Sequence, residues 1–131
     1  MLSFLLDTDT VSFVLRGEGR AGARLVERRP AEVAISSVTL AELRFGAERR
    51  RSKRLHALID EFVAAVAVLP FDAAAADEFG RLRSILESRG RAIGALDTML
   101  AAHALSLDLT FVTGNARHFA RIPRLRLEDW R

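Results

Sequence analysis

Residues 2–9, Leu2-Ser3-Phe4-Leu5-Leu6-Asp7-Thr8-Asp9, carry a short apolar run straight into an acidic turn. A run of that length bounded by a carboxylate reads as a buried strand ending where a helix begins. The same pattern recurs downstream. Val33-Ala34-Ile35-Ser36 leads into a helix with Glu42 one turn in, and Asp97 opens a helix continuing through Met99, Ala101, Ala102 and Ala104. In a parallel sheet all strand carboxyl ends lie along one edge, which is where open α/β folds place their sites. Acids from distant parts of the chain then meet in one crevice. At 4 Å and an effective dielectric of about 20, each like-charge pair costs roughly 4 kcal/mol. A divalent cation offsets that repulsion, and a shared proton is the other way out. The three acids therefore point to a hard-metal site.

Strands alternate with helices along the rest of the chain. Helices are predicted over 8–15, 22–29, 38–50, 53–67 and 73–89. Strands are predicted over 2–6, 33–36, 66–70, 109–113 and 125–127, with a loop through His118. The clearest amphipathic stripe is Leu55, Leu58, Ile59, Phe62, Val63 and Val66. Pro30 stops the second helix, Asp72 caps the fifth and Gly90 closes it. This alternation implies a parallel sheet with helices on both faces. With no linker or repeat, residues 1–131 are read as a single domain.

Composition narrows the function. No run of 18 apolar residues is present to span a bilayer, and Asp7 and Asp9 interrupt the only early apolar stretch, so neither membrane span nor signal peptide is expected. Zero cysteines exclude disulfides and thiolate zinc sites and fit a cytoplasmic protein. The net charge is only +3, from 20 basic and 17 acidic residues, and Lys53 is the sole lysine, so chemistry needing lysine has one candidate. Basic residues cluster from Arg44 to Arg54. Such a stretch follows a phosphate backbone or forms a solvated helix end.

Each motif has a structural alternative. Thr8 or Asp9 could cap the first helix, whereas Asp7 ends an apolar central strand and needs a partner. Thr39-Leu40-Ala41-Glu42 matches a capping box, in which Glu42 reaches back to the helix start. Asp97 suits any first helical turn. Thr113-Gly114-Asn115 is an ordinary turn or a ligand-bearing loop. Gly17-Glu18-Gly19-Arg20-Ala21-Gly22 matches G-x-G-x-x-G but follows a helix instead of a strand, and reads as a turn. His56, His103 and His118 lack zinc spacing. His103 is expected to be packed, His118 to be a candidate substrate contact, and Trp130 to anchor the C-terminal segment.

Taken together, LLDTD at the start, SSVTLAELRFGAE, GRAIGALDTMLAAHAL and FVTGNARHFARIPRLRLEDW resemble the PIN-domain ribonucleases, and most closely the VapC toxins of type II toxin–antitoxin pairs. The resemblance covers the whole chain in order. It implies a three-layer α/β/α sandwich and a Mg²⁺- or Mn²⁺-dependent endoribonuclease. It also implies a homodimer inhibited by a VapB-like antitoxin and acting on structured RNA, often tRNA. Asp7, Glu42 and Asp97 match the family's acidic triad, with Asp7 and Asp97 expected to hold metal and Glu42 to assist. Asn115 stands where many members carry a fourth acid, which leaves one metal or two open. Asp9 stands where Asn is common. Thr8 and Thr113 are supporting candidates, and Arg44, Arg49, Arg50 and His118 are candidate RNA contacts.

Two rival readings remain. Asp7-Thr8-Asp9-Thr10-Val11 fits the D-x-D-x-[TV] signature of haloacid-dehalogenase-like phosphohydrolases, although Lys53 is poorly placed for that chemistry. A receiver-like Mg²⁺-binding module would use the Asp7/Asp9 pair, although Ser36 and Ser37 stand where it needs an aspartate. A metal-free ribonuclease using His56 and His118 is a further alternative.

Overall fold

A computed structural model describes residues 1–17, 19–28 and 30–131. Five strands, β1 (Phe4–Leu6), β2 (Val33–Ser36), β3 (Ala67–Leu69), β4 (Thr110–Val112) and β5 (Leu127–Glu128), form one sheet in the order β3-β2-β1-β4-β5. Every pairing is parallel. The chain winds one way from β1 through β2 to β3, then returns to the other side of β1 for β4. That reversal makes the carboxyl end of β1 the switch point, where such sheets leave a crevice. The register aligns Leu6 with both Ile35 and Val112, so Asp7, Ser36 and Thr113 follow at one level.

The helices are α1 (Thr8–Arg16), α2 (Ala21–Arg28), α3 (Ser37–Arg49), α4 (Lys53–Ala65), α5 (Ala73–Ser88), α6 (Ala95–Leu107) and α7 (Ala116–Phe119). Alternating strand residues divide between two cores, as the two-residue period of a strand requires. Phe4, Leu6, Val33, Ile35 and Val112 pack with Val11, Leu43, Ile59 and Phe62 from α1, α3 and α4. Leu5, Ala34 and Phe111 pack on the opposite face with Leu82, Leu86, Leu100 and Ala101 from α5 and α6. The result is the expected α/β/α sandwich. His103 is buried with Nδ1 2.9 Å from Ser36 Oγ, and Trp130 is buried edge-on to Phe4, as anticipated.

Local differences from the sequence reading have identifiable causes. The expected 38–50 helix begins at Ser37 because Ser36 caps it, its hydroxyl accepting from Val38 N at 3.1 Å. Thr39 is therefore inside the helix, and the capping box does not form. The α6 helix starts at Ala95 after an extended Gly94, so Asp97 lies within its first turn and does not open it. The predicted loop through His118 contains α7, anchored by buried Phe119. The last strand is Leu127–Glu128, displaced from 125–127. Gly17 takes φ +69° to close α1, consistent with the G-x-G-x-x-G stretch being a helix stop. Glu18 in that motif, and Arg29 at the predicted end of helix 22–29, lie outside the described residues.

Candidate active site at the end of the central strand

Asp7 leaves β1 as the N-cap of α1, so the cap falls to it instead of Thr8 or Asp9. Its Oδ1 accepts from Thr10 N at 2.8 Å, and the Thr113 hydroxyl also bonds its carboxylate. The residue is 7% exposed. Burial pushes its pKa up against these hydrogen bonds, and the charge of Asp9 adds to the rise.

Glu42 sits in the second turn of α3, half-buried. Its Oε1 accepts from the Thr8 hydroxyl at 2.6 Å, and that hydroxyl lies 3.2 Å from the Thr39 hydroxyl. Burial raises the Glu42 pKa, as do the charges of Asp97, Asp9 and Asp7, while the Thr8 bond opposes them. Asp7 and Asp9 of the α1 start and Asp97 of α6 are thus all close enough to act electrostatically on Glu42 of α3. Asp97 is the open member, its side chain 47% exposed and its Oδ2 3.2 Å from His118 Nε2.

Among the described residues, no three His, Asp or Glu groups already stand as a ready-made ligand set for a metal. Each carboxylate has a neutral or basic neighbour: Asp7 has Thr10 and Thr113, Glu42 has Thr8, and Asp97 has His118. The donors are hard oxygens. Mg²⁺ commonly takes one or two carboxylates and keeps the rest of its shell as water, so this donor set fits such an ion.

The outlying candidates divide. Arg49 and Arg50 line a pocket of about 150 Å³ together with Thr8 and Glu42. Arg44 is bound elsewhere, to His56 Nδ1 at 2.9 Å and Asp60 Oδ1 at 2.5 Å. His56 also meets Glu48 at 2.6 Å, so His56 and His118 belong to separate clusters. Asn115 is exposed at the start of α7, its amide donating to Thr113 Oγ1 at 3.0 Å, and it shares a cleft with His118. Sequence reasoning missed Thr10 and Thr39. Both are fully buried hydroxyls beside the acids, and the signal available was a polar residue on an otherwise apolar helix face.

A parallel sheet with carboxylates gathered at its switch point is a nuclease-like arrangement, and comparison with known proteins makes it specific. The PIN domain family matches residues 4–125. The chain is 41% identical to the tRNA(fMet)-specific endonuclease VapC of Shigella flexneri, over 99% of both chains. It superposes on a chain of the DNA-bound VapBC complex from Salmonella typhimurium with a TM-score of 0.94, at 38% identity and covering all of both chains. A chain of the promoter-bound VapBC2 complex from Rickettsia felis gives 0.92 at 30% identity, covering 99% of this chain and 100% of that one. The chain belongs to the PIN-domain family, in its VapC ribonuclease branch. Neither the phosphohydrolase nor the receiver-like alternative finds support in these relatives. Among the described residues, no helix is long and apolar enough to cross a membrane.

Proposed function

We propose that this protein is a Mg²⁺- or Mn²⁺-dependent endoribonuclease, the toxin of a type II toxin–antitoxin pair, which hydrolyses phosphodiester bonds in structured RNA, tRNA foremost. The observation that carries this reading is the gathering of Asp7, Asp9, Glu42 and Asp97 at one edge of the sheet, where burial and the charges of the three aspartates raise the Glu42 pKa. Carboxylates gathered this closely repel one another, and a cation offsets that repulsion. The tRNA substrate and a VapB-like antitoxin partner are supported by the names of the similar endonucleases and VapBC complexes. A homodimer and a cytoplasmic setting belong to the same reading, and sedimentation of the purified chain tests the dimer.

In this reading Asp7 and Asp97 hold the metal. When bound, a divalent cation supplies positive charge at the scissile phosphate and acidifies a water nucleophile. Glu42, held by Thr8, orients that water and takes up its proton at a carboxylate oxygen. His118 fixes the rotamer of Asp97. In-line attack at phosphorus breaks the bond to the ribose 3′ oxygen, which leaves as a 3′-hydroxyl by taking a proton from solvent, and the other product carries a 5′-phosphate. The 2′-hydroxyl takes no chemical part, so RNA preference comes from shape and contacts. Arg49 and Arg50 guide neighbouring phosphates.

The test is incubation of the purified chain with total RNA in Mg²⁺ or EDTA, followed by mapping of the cut ends. Cleavage only with metal, leaving 5′-phosphates, is the expected result. Cleavage that survives EDTA, or leaves 2′,3′-cyclic ends, sinks the carboxylate mechanism.

A further inference from the structure

Arg24, Arg28, Arg44, Arg81, Arg83, Arg124, Arg126 and Arg131 each reach a carboxylate. Arg91, Arg117 and Arg121 do not, among the described residues, yet all three line one cleft of about 410 Å³ with Asn115 and His118. No acidic residue lines that cleft. It is built from the turn after α5, where Gly90 takes φ +65° and Arg91 N donates to Leu86 O at 2.8 Å, and from α7 with the residues just after it. Three exposed guanidiniums share one concavity with no internal counter-charge, an arrangement whose self-repulsion an anion relieves. One wall of the cleft is His118, the residue that touches Asp97.

We propose that Arg91, Arg117 and Arg121 form a phosphate-binding cleft that holds the RNA backbone as the strand enters the acidic crevice at Asp97. The inference rests on the ribonuclease reading and extends it to residues that the sequence analysis did not single out as RNA contacts. Guanidinium presents a planar fork that matches phosphate bidentately, which suits a backbone contact better than a point charge. The pocket of Arg49 and Arg50 meets the crevice at Glu42, whereas this cleft reaches it through His118, which touches Asp97. The two basic stretches thus grip the strand at two separate points of the acid cluster, which itself repels phosphate.

The experiment measures binding apart from cleavage. Asp97→Asn protein, titrated with fluorescent unfractionated tRNA in Mg²⁺, gives a Kd with no turnover. Adding R91A/R117A/R121A is expected to weaken binding about a hundredfold or more at 0.1 M salt. It should also make the log Kd against log salt slope shallower by about 2, from three contacts at roughly 0.7 each. R24A/R81A/R126A removes the same charge from paired sites and is expected to change Kd by less than about threefold. If the alanine triple fails to fold, R91K/R117K/R121K keeps the charge and is expected to weaken binding about fivefold with the salt slope retained. Unchanged Kd and slope in the alanine triple, or an equal loss in the paired-site control, overturns the inference. Arginine-dependent binding by a wild-type chain that cuts no RNA would keep the cleft and sink the ribonuclease reading.

Discussion

Asp7 and Asp97 face the same crevice from distant parts of the chain, yet their surroundings differ sharply. Asp7 is 7% exposed and tied to the Thr10 amide and the Thr113 hydroxyl, whereas Asp97 has nearly half its side chain in solvent and leans on one imidazole. Glu42 sides with Asp7, half-buried and fixed by Thr8. The buried half of the site is positioned by hydrogen bonds made during folding, and its charge is stored at a cost. The exposed half is screened by water and can adjust to a ligand. A site built this way keeps its geometry on one side and its adaptability on the other.

The sharpest way to break this contrast is to remove charge from each half in turn. Asp97→Asn and Asp7→Asn should each lower RNA cleavage by about 10²–10³-fold or more, measured under single-turnover conditions. Circular dichroism should report the native fold in both. Near-normal turnover by folded Asp97→Asn protein would refute the mechanism.

The stability responses should diverge where the activities agree. Raised pKa values at Asp7 and Glu42 mean that the folded state holds more protons than the unfolded chain above the ordinary carboxylate value near 4. Metal-free stability should therefore fall as pH rises from about 4 toward neutral. At pH 7, Glu42→Gln should raise the metal-free Tm by about 2–6 °C and flatten that pH dependence. Asp97→Asn should leave Tm within about 1 °C. Equal shifts in both variants, read by calorimetry, would erase the distinction between the halves.

Mg²⁺ should restore what the acids cost. At roughly ten to a hundred times its Kd, the ion stabilises the native state by about 1.4–2.7 kcal/mol, a rise of several degrees in Tm. The gain should shrink in Asp7→Asn. An identical Mg²⁺ shift in the wild type and that variant would remove Asp7 from the ligand set.

The supporting hydroxyl gives a subtler readout. Thr8→Val removes the bond that lowers the Glu42 pKa, so the acid limb of the cleavage pH profile should move to higher pH, with the loss of rate greatest on the acid side. A profile that stays in place would mean that Thr8 merely packs. The smallest effect is expected at His118. Loss of its imidazole should cost only a few-fold in rate, because solvent already screens Asp97.

The sandwich, the parallel sheet and the carboxyl-edge location of the acids were legible because strand length, helix period and strand–helix alternation are properties of short segments. The Asp72 cap and the buried His103 followed from the same local rules. Other features depended on partners far away in sequence. Arg44 looked like its basic neighbours until Asp60 and His56 of α4 came alongside. Glu42 matched a capping box, but Ser36 took the cap and Thr8, 34 positions away, took the carboxylate. The cleft of Arg91, Arg117 and Arg121 joins two loops whose sequences say nothing of each other. Pairwise chemistry across long separations is what a linear reading lacks.

The central position of β1 also sets the order in which the acid cluster can assemble. Phe4 pairs with Thr110, so β1 waits for most of the described chain to be made before its second neighbour arrives. At about 5–20 residues per second, that delay lasts several seconds. Nascent chains halted before β4 would lack both Asp7's Thr113 clasp and the second wall of the sheet. Chains cut short before β4 should therefore be unable to complete the acid cluster.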